Sequence, residues 1–559
     1  MHDLLIHNAL LIDGLGNPPR HADIAVTDGR IAAIGDGLGS GRESIDAQGL
    51  ALAPGIIDTH THYDAQVTWD PDLAAATSVG VTTAIIGNCG FTIAPCRAED
   101  RDLVMRNLTN VEGMALEALR AGIQWDFESF PDYLHTLERR GLGVNVAAFM
   151  GHSSIRTFVM REDAPRRAAQ PAEIEAMRQI VVEGMRAGAT GFATSTSPAH
   201  NGDAGVPMPS RLADEGELFA LTGALRDAGR GVFMLTKGGQ TEVSFLEEIA
   251  ARNGRPVIVA ALLHNSTNPD AVFSDLDQIA AANARGRSLI GAISCCPLTN
   301  EFTLQAPYPF EGLAAWQPAL GQKGDAFKRV IADRAFRAAL RAELSQPALF
   351  RLFNGEWDKV YVVETARLEN RSLENRSLAE IGRDRGADSL DALFDLALAE
   401  DLATLFTATL LNSDETAVAR MLKHPHSMVS LSDAGAHLTF FTDAGFGLHL
   451  LGHWVRERRV LALEEGIRKL TSEAARVFGI ADRGRLQVGC AADLMLFDPA
   501  TVGRGPSERR FDLPAGAPRL FRPAIGVYGV WVNGVRVVDE RGPMDSPPRA
   551  GRVLREFVA

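Results

Sequence analysis

A chain of 559 residues, 46% hydrophobic and 23% charged, has the make-up of a soluble globular protein, long enough for one large barrel with additions or for several domains. Its 56 basic and 70 acidic residues leave a net charge of −14, which argues against non-specific nucleic-acid binding. Five cysteines in so long a chain make no disulfide framework and point to a reducing compartment.

The N-terminal MHDLLIHNALLIDG is interrupted by charge and turn residues, so neither a signal peptide nor a membrane span is expected, and the expected location is cytoplasmic. Residues 1–53 read as short strands, with Asp13-Gly14 and Asp28-Gly29 as turn signals. Eight apolar, strand-like runs that end in polar residues then follow: GIIDTHTH, VTTAIIGNCG, VNVAAFMGHSS, ATGFATSTS, GVFMLTKGG, PVIVAALLHN, SLIGAISCCP and SMVSLSDAGAH. Amphipathic stretches separate them, among them PAEIEAMRQIVVEGMRAGA, with Pro near its start and Gly near its end. Eight strand–helix alternations predict an α/β fold, a TIM-like (β/α)8 barrel over residues 54–483. Residues 298–426, between the seventh and eighth strands, predict a large, mostly helical insertion, a candidate lid. Residues 484–559 return to short strands, with Asn533-Gly534 as a turn, and are expected to join residues 1–53 in a small β-sandwich.

In such a barrel the chemistry sits where strands end at the C-terminal face. His60 and His62 are two residues apart in PGIIDTHTHYD, so both imidazoles can face one cation from an extended segment. A strand running out into solvent would give the same pattern. Cys89, in IIGNCGFT, is either a small buried hydrophobe or a thiolate ligand. His264 ends the sixth strand as a core histidine or a ligand. Asp433 ends the eighth as a cap or as an acid–base group. His437, His152 and Cys296 could line a substrate pocket or serve only packing and loop geometry.

DTHTHYD resembles the first-strand signature of the amidohydrolase superfamily. GNCG at 87–90 followed by Ala94-Pro95, GHSSIR, PSRLADEGEL and the closing FGIADRGRLQVGCAADLMLFDP resemble its N-acyl-D-amino-acid deacylase (D-aminoacylase) branch over nearly the whole chain. That resemblance implies a zinc hydrolase of amide-type C–N bonds with one or two metal ions per chain. His60, His62, Cys89 and His264 would be ligands, and Asp433 would move the proton of a zinc-activated water to the leaving nitrogen. Two departures stand out. Lys237 occupies the place of a histidine ligand, so it either carries an N6-carboxyl group as a second-metal ligand or fills the second cation's space with its ammonium. Ser266 occupies the place of a lysine that holds the substrate carboxylate, and SCCPLTN and SDAGAHLTFFTDAG lack the expected tyrosine and arginine. The expected substrate is thus a small-molecule amide, with a more neutral amide, a cyclic amide or imide, or an acylated compound held by the apolar lid at least as well indicated as an N-acyl-D-amino acid. A cyclic amidase, an imidase or a deaminase on the same fold, or a metal-poor scaffold, remain alternatives, and a homo-oligomer, a dimer, is expected.

Overall fold

The computed structural model describes residues 1–239, 241–438 and 444–558, which fall into two compact units. The first contains Met1–Leu262, Asp275–Cys295 and Met421–Ala559, and the second Leu263–Ser274 with Cys296–Arg420.

The first unit is built on one parallel sheet whose strands are β1 (Ile56–Asp58), β2 (Val81–Ile86), β3 (Asn145–Gly151), β4 (Gly191–Ser195), β5 (Val232–Thr236), β6 (Val257–Leu262), β7 (Leu289–Ile293) and β8 (Ser427–Val429). Their spatial order is their chain order. β2 to β5 are buried at every position, as expected of strands covered on one face by helices and on the other by the barrel interior. The ring closes just past the strand ends, where Thr61 pairs in parallel with Ala434 and the His62 amide donates to the Ala434 carbonyl at 2.8 Å. Side chains brace the same seam: Thr59 Oγ1 donates to Ser430 Oγ at 2.8 Å, and Ser432 Oγ lies 2.9 Å from both Asp58 Oδ1 and the His60 carbonyl. The eight apolar runs of the sequence are thus the eight barrel strands.

Helix boundaries follow local chemistry. Pro171–Ala187 starts on a Gln170–Glu173 capping box with Pro at its first turn and stops at Gly188, φ 111°. Glu215–Ala228 starts on Asp214, whose side chain accepts from the Glu217 amide, and stops at Gly229.

Strands from both chain ends join in one continuous nine-stranded sheet, in which Leu494–Phe497 lies antiparallel to Ala51–Pro54. Asp28-Gly29 and Asn533-Gly534 are both hairpin turns with positive φ at each residue, and the sheet closes on Ile6, Ile24, Leu494 and Trp531.

The second unit departs from the mostly helical expectation. It carries a three-stranded antiparallel sheet, Leu298–Phe302, Val360–Glu364 and Leu405–Leu411, beside helices such as Arg334–Leu344 and Ser389–Ala399. LTNEF, VYVVE and LFTATLL are short and rich in β-branched or aromatic residues, a signal that the surrounding helical periodicity obscures. Its core is aromatic, with Phe310 stacked on Trp316 at 5.2 Å. No helix among the described residues is long and apolar enough to cross a membrane.

Candidate metal centre

His60, His62 and Cys89 each bring a ligand atom within 4.8 Å of the others, all three buried. Cys89 reaches this position through a backbone conformation that L residues avoid, φ 56°, in the tight turn after β2. Its surroundings hold it there: the Gly87 amide donates to Asp64 Oδ2 at 2.9 Å, and Asn88 Nδ2 to the Ile85 carbonyl at 2.9 Å. Gly90, φ +79°, admits no side chain, because a Cβ would come within 2.8 Å of the Ala193 carbonyl. Asp433 also has positive φ, 47°, in the segment after β8.

Cys89 Sγ lies 3.5 Å from His60 Nε2 and 3.2 Å from Thr236 Oγ1. Asp433 Oδ1 lies 3.2 Å from His60 Nε2 and 3.6 Å from His62 Nε2. Zinc bonds of about 2.0–2.1 Å to N or O and about 2.3 Å to S give tetrahedral edges of about 3.3 Å (N···O) and about 3.5 Å (N···S). The separations are of that size; His60, His62 and Cys89 form one cluster that fits a zinc ion, and Asp433 stands beside the two imidazoles without joining the cluster. His60 and His62 are each 3% exposed, whereas Asp433 keeps 30% of its side chain open, so the centre is approached from the Asp433 side.

The electrostatics suit ligation. Burial lowers His60 to about 4, against the pull of Asp433, so its ring is neutral. Burial opposes ionisation of Asp433, but the hydrogen bond to His62 and the charges of His60, His62 and His437 hold its carboxyl well below the usual range. Burial raises the Cys89 thiol, so the thiolate needs a cation beside it. Glu112, which the sequence did not single out, completes the arrangement: its Oε1 lies 3.1 Å from His62 Nδ1. Burial raises Glu112 to about 8 against the pull of His62, and the contact, which is not an aligned hydrogen bond, sets an acceptor beside Nδ1 and leaves Nε2 for the metal. Glu112 follows a short amphipathic helix, Arg101–Val111, rather than a barrel strand; its one visible signal is a buried carboxylate where the helix stops.

The other sequence candidates are placed differently. Lys237 does not turn toward the thiol: Thr236 does, and the next side chain along points elsewhere. Its ammonium is paired to both oxygens of Asp275, at 2.7 and 2.6 Å. His152 has both ring nitrogens engaged, Nδ1 with Thr194 Oγ1 at 2.7 Å and Nε2 with Glu217 Oε1 at 2.8 Å, and Arg156 also binds Glu217; no ring nitrogen remains for a substrate. His437 donates its backbone N–H to the Glu112 carbonyl and acts electrostatically on Asp433. His264, Ser266 and Cys296 belong to the second unit. There the His264 amide donates to Asn412 Oδ1 at 2.8 Å, Ser266 Oγ donates to Glu356 Oε2 at 3.0 Å, and the Cys296 carbonyl accepts from Asn412 Nδ2 at 3.1 Å. Of the SDAGAHLTFFTDAG stretch, 439–443 lie outside the described residues.

Barrel and centre together define a metal-dependent hydrolase of the amidohydrolase type, and the comparisons agree. The amidohydrolase family model matches residues 43–320 and 348–538, and the chain belongs to that family. Within it the chain is D-aminoacylase-like, a hydrolase of C–N bonds. The N-acyl-D-aspartate deacylase of Alcaligenes xylosoxydans xylosoxydans is 31% identical over 561 residues, covering 99% of this chain and 95% of that protein. The structure of N-acyl-D-glutamate deacylase from Bordetella bronchiseptica, complexed with zinc and a phosphonate mimic of the tetrahedral intermediate, is 28% identical with a TM-score of 0.68, covering 99% of this chain and 100% of that one. A D-aminoacylase structure concerned with a binuclear metal centre is 26% identical with a TM-score of 0.66, covering 100% of both chains.

Proposed function

We propose that the chain is a zinc-dependent hydrolase of the amide in an N-acylated small molecule, working with one zinc ion held by His60, His62, Cys89 and Asp433. The observation that carries this reading is the buried cluster of His60, His62 and Cys89, with Asp433 Oδ1 at 3.2 and 3.6 Å from the two imidazoles. A zinc ion bound there supplies Lewis acidity to the carbonyl and acidifies water.

The chain's own groups do the rest. Asp433, ionised and partly open, spends Oδ1 on the ligand cluster and keeps Oδ2 to accept a proton from the attacking water and deliver it to the departing nitrogen. Glu112 fixes the orientation of His62, and burial of the imidazoles keeps bulk water from competing for the site. The Lys237–Asp275 pair favours one metal over two, because an N6-carboxyl group on Lys237 would set two carboxylates against each other.

Relatives act on N-acyl-D-aspartate and, in the Bordetella bronchiseptica protein, N-acyl-D-glutamate. Here Ser266 stands where the related pattern places a lysine, and the strand-seven and strand-eight segments lack the expected tyrosine and arginine. A substrate carboxylate held without a cationic partner loses hydration for little return. The preferred substrates are therefore amides whose acyl-bearing partner is neutral. The test is zinc content of the purified protein together with a screen of N-acetyl-D-aspartate, N-acetyl-D-glutamate, neutral N-acetyl-D-amino acids and their amides. One zinc per chain with fastest release of acetate from the uncharged compounds is expected. Zinc-loaded protein that cleaves only the acidic substrates, or none, contradicts the reading.

A further inference from the structure

Resting on the reading of His60, His62 and Cys89 as a zinc site, we propose that Thr236 is a positioning residue for that site, donating its hydroxyl hydrogen to the Cys89 sulfur once that sulfur is a metal-bound thiolate. Thr236 is the last residue of β5 and is buried. Its Oγ1 lies 3.2 Å from Cys89 Sγ, and among the described residues the hydroxyl has no other hydrogen-bond partner.

Chemistry fixes the direction of this bond. In the metal-free protein either atom can donate, because the thiol and the hydroxyl each carry one hydrogen. Cysteine binds zinc only after losing its proton, and the thiolate that results can only accept. The hydroxyl is then the one group of the pair with a hydrogen to give, and it meets an anionic acceptor, the arrangement in which such bonds are strongest. The other group near the sulfur, His60 Nε2 at 3.5 Å, is itself placed as a ligand atom and has no proton to offer. Cys89 is 6% exposed, so water is scarce at the sulfur and the hydroxyl supplies the solvation that water does not.

The sheet holds the donor in place. The Thr236 carbonyl accepts the Thr196 amide at 3.0 Å, and on the other side the Lys237 amide donates to the Ala260 carbonyl at 2.7 Å, so the end of β5 is tied to both neighbouring strands. A β-branched side chain in a strand is stiff at χ1, which keeps Oγ1 where the backbone aims it. Cys89, by contrast, sits in a turn at φ 56°, a conformation that persists only when its surroundings enforce it. A bond from the rigid strand to the sulfur of that turn fixes the ligand and draws charge from it. Hydrogen bonds to a metal-bound sulfur are among the means by which a protein tunes its centre. Charge taken by the hydroxyl is not given to the cation, whose Lewis acidity the assigned reaction uses.

The experiment compares wild type with Thr236→Val, which keeps the branched shape but removes the hydroxyl, and Thr236→Ser, which keeps the hydroxyl. Two readouts on the full chain need no substrate: zinc affinity by competition with a chromophoric chelator, and the sulfur-to-metal charge-transfer absorption of the cobalt(II)-loaded protein. Thr236→Val should bind zinc about tenfold more weakly, and its charge-transfer band should move to lower energy, because a sulfur without its donor gives up charge more easily. Thr236→Ser should restore the band to the wild-type position, with zinc affinity within about threefold of wild type. A Thr236→Val band that coincides with that of wild type overturns the proposal even where zinc affinity falls, since altered packing alone weakens binding without touching the sulfur's electrons. A Thr236→Ser protein that matches Thr236→Val overturns it too. A wild-type cobalt protein with no sulfur band removes Cys89 from the centre and overturns the zinc reading together with the proposal, whereas a band that is present but indifferent to Thr236 overturns the proposal alone.

Discussion

Replacing Glu112 tests how the protein prepares His62 for metal. Its carboxylate, 3% exposed, lies 3.1 Å from His62 Nδ1, and no other described side chain acceptor is placed at that nitrogen. Outer carboxylate partners of ligating imidazoles are worth about 10–100-fold in metal affinity, about 1.4–2.7 kcal/mol. Glu112→Gln keeps an acceptor oxygen and loses only the charge, so zinc should bind about tenfold more weakly. Glu112→Ala removes the acidic neighbour altogether and belongs at the upper end of that range. Competition with a chromophoric chelator gives the dissociation constants, and far-ultraviolet circular dichroism checks that the barrel persists. The order wild type, Gln, Ala is the expected result. Equal zinc affinity in all three would refute the idea that Glu112 sets the tautomer of His62.

The other outcomes follow from the same coordinates. Asp433→Asn should lose at least about 10³-fold in kcat while atomic emission still finds zinc on the remaining three donors. Lys237→Gln should leave one zinc per chain and activity unaffected by bicarbonate, because the side chain is paired with Asp275 rather than with the centre. Zinc uptake near pH 7 should release about two protons, one from the buried Cys89 thiol and one from the buried His62–Glu112 pair, in which Glu112 raises His62 and burial raises Glu112 to about 8; His60, lowered to about 4, adds none. Calorimetry in buffers of different ionisation enthalpy counts them, and Cys89→Ala should reduce the count to about one. Glu217→Gln should destabilise the fold by about 3–5 kcal/mol, seen in denaturant unfolding, because Glu217 is the buried partner of both His152 and Arg156.

The barrel was legible because parallel strands buried on both faces leave unbroken apolar runs, and each of the eight ended in polar residues that the fold needs at its catalytic mouth. His60, His62, Cys89 and Asp433 stood at those ends and could be read directly. Glu112 could not, since it enters from a connecting segment whose path depends on tertiary packing. Lys237 occupies a ligand's position in the sequence, while in the structure Thr236 faces Cys89 and Lys237 pairs with Asp275, a contact that the sequence does not announce. Strand signals in the second unit were hidden by the stronger helical periodicity around them.

X-ray absorption at the zinc edge tests the centre most directly. The account predicts one zinc per chain with a single sulfur neighbour at about 2.3 Å and nitrogen or oxygen neighbours at about 2.0–2.1 Å, the sulfur vanishing in Cys89→Ala. A spectrum without sulfur, or protein that binds no zinc, would contradict it.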